Sequence, residues 1–162
     1  MQLSTLIAAS FLAVASAATT YPPINLGRFG YPHGHHFVAW SPFTPTTTQE
    51  LDDVCMKRGA IQGTATWTAV RVVNTYVLGP LCRKAFDITD DVTNITYTNL
   101  ELACEDDNIA WGIEPVVTAI VDRSTNKTIE TCLPVPTDSP ASLSGCRPLG
   151  PEGLSFKFAC SV

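Results

Sequence analysis

Histidine is scarce and confined to one place. The three present, His33, His35 and His36, stand together in PHGHHF, and none follows. Acid–base catalysis that sets an imidazole against a carboxylate elsewhere on the fold would have to draw on that one stretch. The GxSxG turn of a serine hydrolase is missing, so nothing marks a nucleophile with a base in reach. No two cysteines stand at CxxC spacing, which removes the usual zinc frameworks, and Glu105-Asp106-Asp107 lacks the ligand spacing of an EF-hand. Positive charge is thin as well: 10 Lys and Arg stand against 15 Asp and Glu, for a net charge of −5, and only Lys57-Arg58 and Arg83-Lys84 are adjacent. Nucleic acid and anionic membrane surfaces need a concentrated basic face, so neither is an expected partner. After residue 17 no stretch approaches the ~20 uninterrupted apolar residues that cross a bilayer, and no internal repeat is visible.

What is there begins with Met1–Ala17, MQLSTLIAASFLAVASA, a short apolar run from Leu6 to Val14 followed by the small-x-small pattern Ala15-Ser16-Ala17. That pattern predicts a secretory signal peptide over residues 1–17 and an extracellular mature chain. All six cysteines, at 55, 82, 104, 132, 146 and 160, fall in the remainder. An even count in a secreted chain predicts three disulfides, whose pairing sequence alone does not choose.

Residues 18–46 carry prolines at 22, 23, 32, 42 and 45 and glycines at 27, 30 and 34, a density of breakers that argues for an irregular segment with at most a short strand at His36–Trp40. Its rings, among them Tyr31, Phe37 and Trp40, are then candidate contact residues lying over the core or an exposed groove. From residue 47 to 162 one disulfide-stabilised domain is expected. It opens on a helix over Thr47–Arg58: Thr47 and Glu50 have capping-box spacing, Leu51, Val54 and Cys55 share a face, and Gly59 supplies the stop. Thr- and Val-rich strands follow over Thr64–Leu78, Lys84–Thr89, Ile95–Cys104, Ile109–Val121, Thr128–Leu133 and Leu154–Val162, with a long Pro-rich loop over Pro134–Gly153. Period-two alternation puts Leu100, Leu102 and Cys104 on one face, and Leu154, Phe156, Phe158 and Cys160 on another. The predicted fold class is α+β: one short helix packed on an antiparallel sheet, open or curled toward a barrel, stapled by disulfides.

Several groups are candidates for chemistry. His33, His35 and His36 have chelating spacing for copper or zinc, although a solvated polar stretch is the simpler account. The carboxylates from Glu101 through Glu105, Asp106 and Asp107 to Glu114 could furnish the paired acids of a glycosidase, with Trp40, Trp67 and Trp111 as a sugar platform; a solvated turn and core tryptophans are the plainer reading. Sequons at Asn94-Ile95-Thr96 and Asn126-Lys127-Thr128 fall at predicted hairpin turns and mark Asn94 and Asn126 as acceptors for N-linked glycan, whose sugars would keep those tips out of a tight interface. For the disulfides, the expected pairs are Cys55 with Cys160, docking the helix on the last strand, Cys82 with Cys104, joining neighbouring strands, and Cys132 with Cys146, pinning the Pro-rich loop.

Signal peptide, domain size, six cysteines, Thr/Val content and sequons together give a chain that resembles the small secreted cysteine-rich proteins of filamentous fungi, many of them effectors. Over a shorter span, Trp67-Thr-Ala-Val70, then Cys82, then Phe86-Asp-Ile88, the rhythm is similar to that of the Alternaria-allergen-like secreted β-barrel family, whose nearly all-β pattern the Thr47 helix departs from. The resemblance implies a non-catalytic extracellular protein, without a cofactor, that binds a host or apoplastic protein. A cell-wall glycan-binding protein or hydrolase acting through Glu101–Glu114 is the alternative, and a structural cell-surface protein is a third.

Overall fold

The computed structural model describes residues 20–31, 34–54, 68–72, 82–107, 115–138 and 153–162. Their strands are β1 (Ile24–Tyr31), β2 (Gly34–Trp40), β3 (Thr68–Val72), β4 (Ala85–Thr89), β5 (Thr96–Cys104), β6 (Val117–Asp122), β7 (Lys127–Pro134) and β8 (Leu154–Ser161), with a single helix α1 (Thr48–Asp53). All eight strands join one sheet in the order β3-β2-β1-β8-β7-β6-β5-β4, and every pairing is antiparallel. The two edges, β3 and β4, come close to one another, so the sheet curls nearly into a barrel.

The α+β expectation is therefore corrected. The helix has six residues, and a helix that short has no independent stability in water. It forms because the capping box predicted at Thr47 and Glu50 is made, the Thr47 Oγ accepting from Glu50 N and the Glu50 carboxylate from Thr47 N, and because Leu51 and Val54 are wholly buried against Val38, Trp40, Leu154 and Phe156. Each such burial contributes about 1.5–3 kcal/mol. The helix covers one outer patch of a β fold and does not form a second layer.

Residues 18–46 are corrected too. The prolines lie outside the strands, at 22, 23, 32, 42 and 45, and the proline-free stretches between them form β1 and β2, with β1 paired to both β2 and β8 in the interior of the sheet. Expected strands over Thr64–Leu78 and Ile109–Val121 are represented by the shorter β3 and β6; the rest of each, with Trp67, Trp111 and Glu114, lies outside the described residues, as do Met1–Ala17 and most of the Pro134–Gly153 loop.

Bulges give the sheet its curvature. Pairing slips at Leu26/Gly27, Phe37/Val38, Phe86/Ile88, Ala103/Cys104 and Ile120/Val121, and each slip bends and twists the strands. They also overturn simple alternation. Leu26 faces Phe158 while Gly27 faces Phe156, so the chain spends one extra residue, Lys157, and changes sides. Leu154 and Phe156 consequently pack outside with Trp40 and the helix, whereas Phe158 and Cys160 point into the barrel with Ile24, Leu26, Phe37, Phe86, Leu100, Leu102 and Ile120. A second extra residue, Asn99, sits at φ 59 in β5 and donates its N–H to Asp87 Oδ1 at 2.8 Å, so Tyr97 rather than Thr98 packs against the interior with Leu100. Gly27 lies where a side chain has no room: a Cβ there would stand 2.7 Å from Leu154 Cδ1 and 2.9 Å from Trp40 Cζ3.

Two disulfides join described cysteines. Cys82 is bonded to Cys104, as expected. Cys132 is bonded to Cys160, which overturns the expected Cys132–Cys146 and Cys55–Cys160 pairs. The reason is register: Cys132 and Cys160 are direct partners on adjacent strands and both point into the barrel. Cys55 and Cys146 lie outside the described residues.

Candidate functional site

Among the described residues, the carboxylates proposed for chemistry are held in ion pairs or stand on an exposed turn. Glu101 is buried on β5 with both oxygens occupied, Oε1 accepting from Arg83 Nη1 at 2.9 Å and Oε2 facing Arg123 Nε at 3.0 Å. Arg83, held at φ 66, also donates through Nε to Asp107 Oδ2 at 2.9 Å; these two bonds and the two negative charges raise its pKa further. A carboxylate clamped between two guanidinium groups serves as a structural acceptor, and to act as a nucleophile or acid it would first have to break both ion pairs. Glu105 and Asp106 are exposed on the turn after β5. His35 and His36 lie on β2, and His33 lies outside the described residues.

The N-terminal aromatics are likewise redistributed. Phe37 is 5% exposed inside the barrel and Trp40 is fully buried beneath the helix, its Nε1 donating to Phe43 O at 2.8 Å. Neither is available to a partner, because β2 alternates between two covered faces there, Phe37 and Ala39 toward the barrel interior and Val38 and Trp40 toward the helix. Tyr31 ends β1.

Both sequon asparagines do sit on exposed turns. Asn94, at φ 58, lies in the β4–β5 turn, and Asn126, at φ 54, in the β6–β7 turn; asparagine tolerates this left-handed geometry better than most residues.

One described surface that is both rigid and apolar is that β4–β5 turn, whose side chains the sequence reading does not single out. Asp90 is buried and organises it: Oδ1 accepts from Val92 N at 2.8 Å, Oδ2 from Thr93 Oγ1 at 2.7 Å, and the Asp90 carbonyl from Asn94 N at 2.8 Å. Burial disfavours the Asp90 charge, but the bonds from Thr93 and Val92 outweigh it and hold the pKa below the usual value. The turn thus stays locked while Val92 is 79% and Ile95 51% exposed. Asp91 N donates to Ser41 O at 3.2 Å, tying the turn to the segment where Phe43 is also exposed. Val92 is one residue from that bond and Phe43 two. The signal was present in the sequence: Asp90 followed by Thr93 and Asn94 is an Asx-type turn, and Val92 and Ile95 are apolar where turns are ordinarily polar.

No family model, curated protein or solved structure matches the chain.

Proposed function

We propose that this is a secreted, non-catalytic cysteine-rich protein of the fungal effector type, which binds an extracellular or host protein through the β4–β5 turn and the adjoining Phe43, with Asn94 of that turn left without glycan and Asn126, on the separate β6–β7 turn, as the glycan acceptor. The observation that carries the reading is the pairing of exposure with rigidity at Val92 and Ile95. Apolar side chains on a turn already fixed by Asp90 lose little entropy on docking, which is how small rigid surfaces gain affinity. Disulfides between β-strands, and no helix long and apolar enough to cross a membrane among the described residues, suit an extracellular protein. The dominance of β-structure narrows the difference from the Alternaria-allergen-like family, whose rhythm Val70, Cys82, Phe86 and Ile88 follow.

The test is affinity capture from extracellular fluid, identification of the captured protein, and titration of the purified pair. Val92→Asp and Ile95→Ser, the second of which preserves the sequon, each weaken binding by about tenfold or more. Equal affinity of both variants and the wild type refutes the docking surface. Retention on cell-wall glycan that disappears in Glu101→Gln would replace this reading with the glycan-binding alternative.

A further inference from the structure

Among the described residues, Glu130 is a carboxylate buried in the barrel interior with one oxygen unpartnered. It stands on β7 opposite Ile120, shares an inward face with Cys132, and is 1% exposed in an otherwise apolar interior. One carboxylate oxygen, Oε2, accepts from Ile24 N at 3.1 Å; the other, Oε1, is buried with no partner. Burial pushes its pKa up to about 7, against the opposing effect of the Ile24 N–H. The titratable and charged groups of the elements around it are Tyr21 and Arg28 from β1 and its lead-in, Tyr97 and the ion-paired Glu101 from β5, Asp122 and Arg123 from β6 and its turn, and Lys127 and Lys157 from β7 and β8.

The chain preceding Ile24 crosses the end of the barrel. Three residues before β1 enters its ladder at Ile24, the Tyr21 ring lies 5.0 Å from that of Tyr97, tilted by 42°. β1 and β5 are separated in the sheet by β8, β7 and β6, so this contact spans the barrel mouth. Tyr21 packs on the interior cluster beside Ile129, and its own hydroxyl is pushed up in pKa by burial and then by Asp122 and Tyr97. Residues 20–23 belong to no strand. They form a strap seated at one end by tyrosine packing and at the other by the Ile24–Glu130 bond.

We propose that this strap is a pH-operated closure of the barrel end: it is seated while Glu130 is protonated, and ionisation of Glu130 draws water to the unpartnered Oε1 and lifts Tyr21 from Tyr97. An ionised carboxylate in an apolar interior must be hydrated, and the strap is the cover whose displacement admits water. This device does not depend on the identity of any partner.

The experiment follows the Tyr21 and Tyr97 ring signals and the Glu130 carboxyl carbon by NMR in the full chain from pH 5 to 8.5. In the wild type all three move together with a midpoint near 7, while the Ile24 N–H, whose bond to Oε2 favours the charged carboxyl, stays protected. In Glu130→Gln the ring signals stay at their acid positions throughout. Tyr21→Ala, which leaves the carboxyl in place but removes its cover, moves the Glu130 midpoint down toward that of a hydrated carboxyl. The proposal is overturned if Glu130 titrates while the rings stay still, if the rings move equally in Glu130→Gln, or if Tyr21→Ala leaves the Glu130 midpoint unchanged.

Discussion

Replacing Glu130 by Gln should remove the pH dependence that this one residue imposes on stability. The folded-state pKa is raised from 4.5 to about 7, so the folded protein holds the proton more tightly than the unfolded chain does. Stability from this group is fully present below pH 4.5 and is lost as pH rises through 7. At about 1.4 kcal/mol per pKa unit, the loss between pH 4 and pH 8 comes to about 3 kcal/mol, a large part of what a domain of this size has to spare. Asp90, Asp122 and Glu50, whose pKa values are lowered by hydrogen bonds, act in the opposite sense and at lower pH. The informative quantity is therefore the difference between wild type and Glu130→Gln. Gln has the same shape and can still accept from Ile24 N through its carbonyl, but does not titrate. Urea unfolding with the disulfides intact, at half-unit steps from pH 4 to 8, should show the variant gaining about 3 kcal/mol on the wild type across that range, most of it between pH 5 and 7.5. A difference that stays flat with pH would mean that Glu130 is hydrated in the folded protein, and the reasoning about its burial would fail.

Two further outcomes test the fold. Gly27→Ala forces a methyl to within 3 Å of Leu154 and Trp40 and should cost about 1–3 kcal/mol by overpacking; wild-type stability in a urea titration would show that β1 does not run under Trp40. Non-reducing peptide mapping should recover Cys82–Cys104 and Cys132–Cys160 and, as the two cysteines left over, Cys55 linked to Cys146. Recovery of a Cys132–Cys146 peptide, or of Cys132 or Cys160 as free thiol, would contradict the register of β7 on β8.

Local chemistry in the sequence was readable where the determinant was local. Thr47 and Glu50 announce a helix start because both partners lie within one turn, and Asp90 and Asp122 announce turns because each carboxylate caps backbone a few residues on. Side-chain direction failed wherever a bulge intervened, since Asn99 and Lys157 are extra residues only relative to a neighbouring strand that the local sequence does not specify. The same cause hid the Cys132–Cys160 bond, which follows from register across β7 and β8. Residues 24–40 were misread for another reason: prolines were counted over the whole segment, when their positions, all outside INLGRFGY and GHHFVAW, already outlined two strands. Glu130 was legible in part. Its period-two relation to Cys132 places it inside as soon as Cys132 is inside, which is what makes a charge there conspicuous.

The placement of Cys132–Cys160 decides which element yields when Glu130 ionises. Cys160 is the ladder partner of both Ile24 on β1 and Cys132 on β7, two residues from Glu130. β7 is thus covalently held to β8 beside the buried carboxyl, and on its other side it pairs with β6. Neither strand can move away from the charge without loss of ladder hydrogen bonds, and β7 cannot leave β8 at all. Residues 20–23 have no ladder to lose; they are held by the packing of Tyr21 on Tyr97 and the interior cluster, so local opening there costs least. Tyr97, which receives the strap, opens β5 directly after the Asp90–Ile95 turn, and Ser41, which that turn binds, follows β2 at the end where β1 begins. The exposed apolar turn and the strap therefore share one end of the barrel, and Cys82–Cys104, before β4 and at the far end of β5, fastens the other. In this arrangement hydration of the buried carboxyl opens the end of the barrel that carries the candidate binding surface, while Cys132–Cys160 holds β7 to β8 beside it.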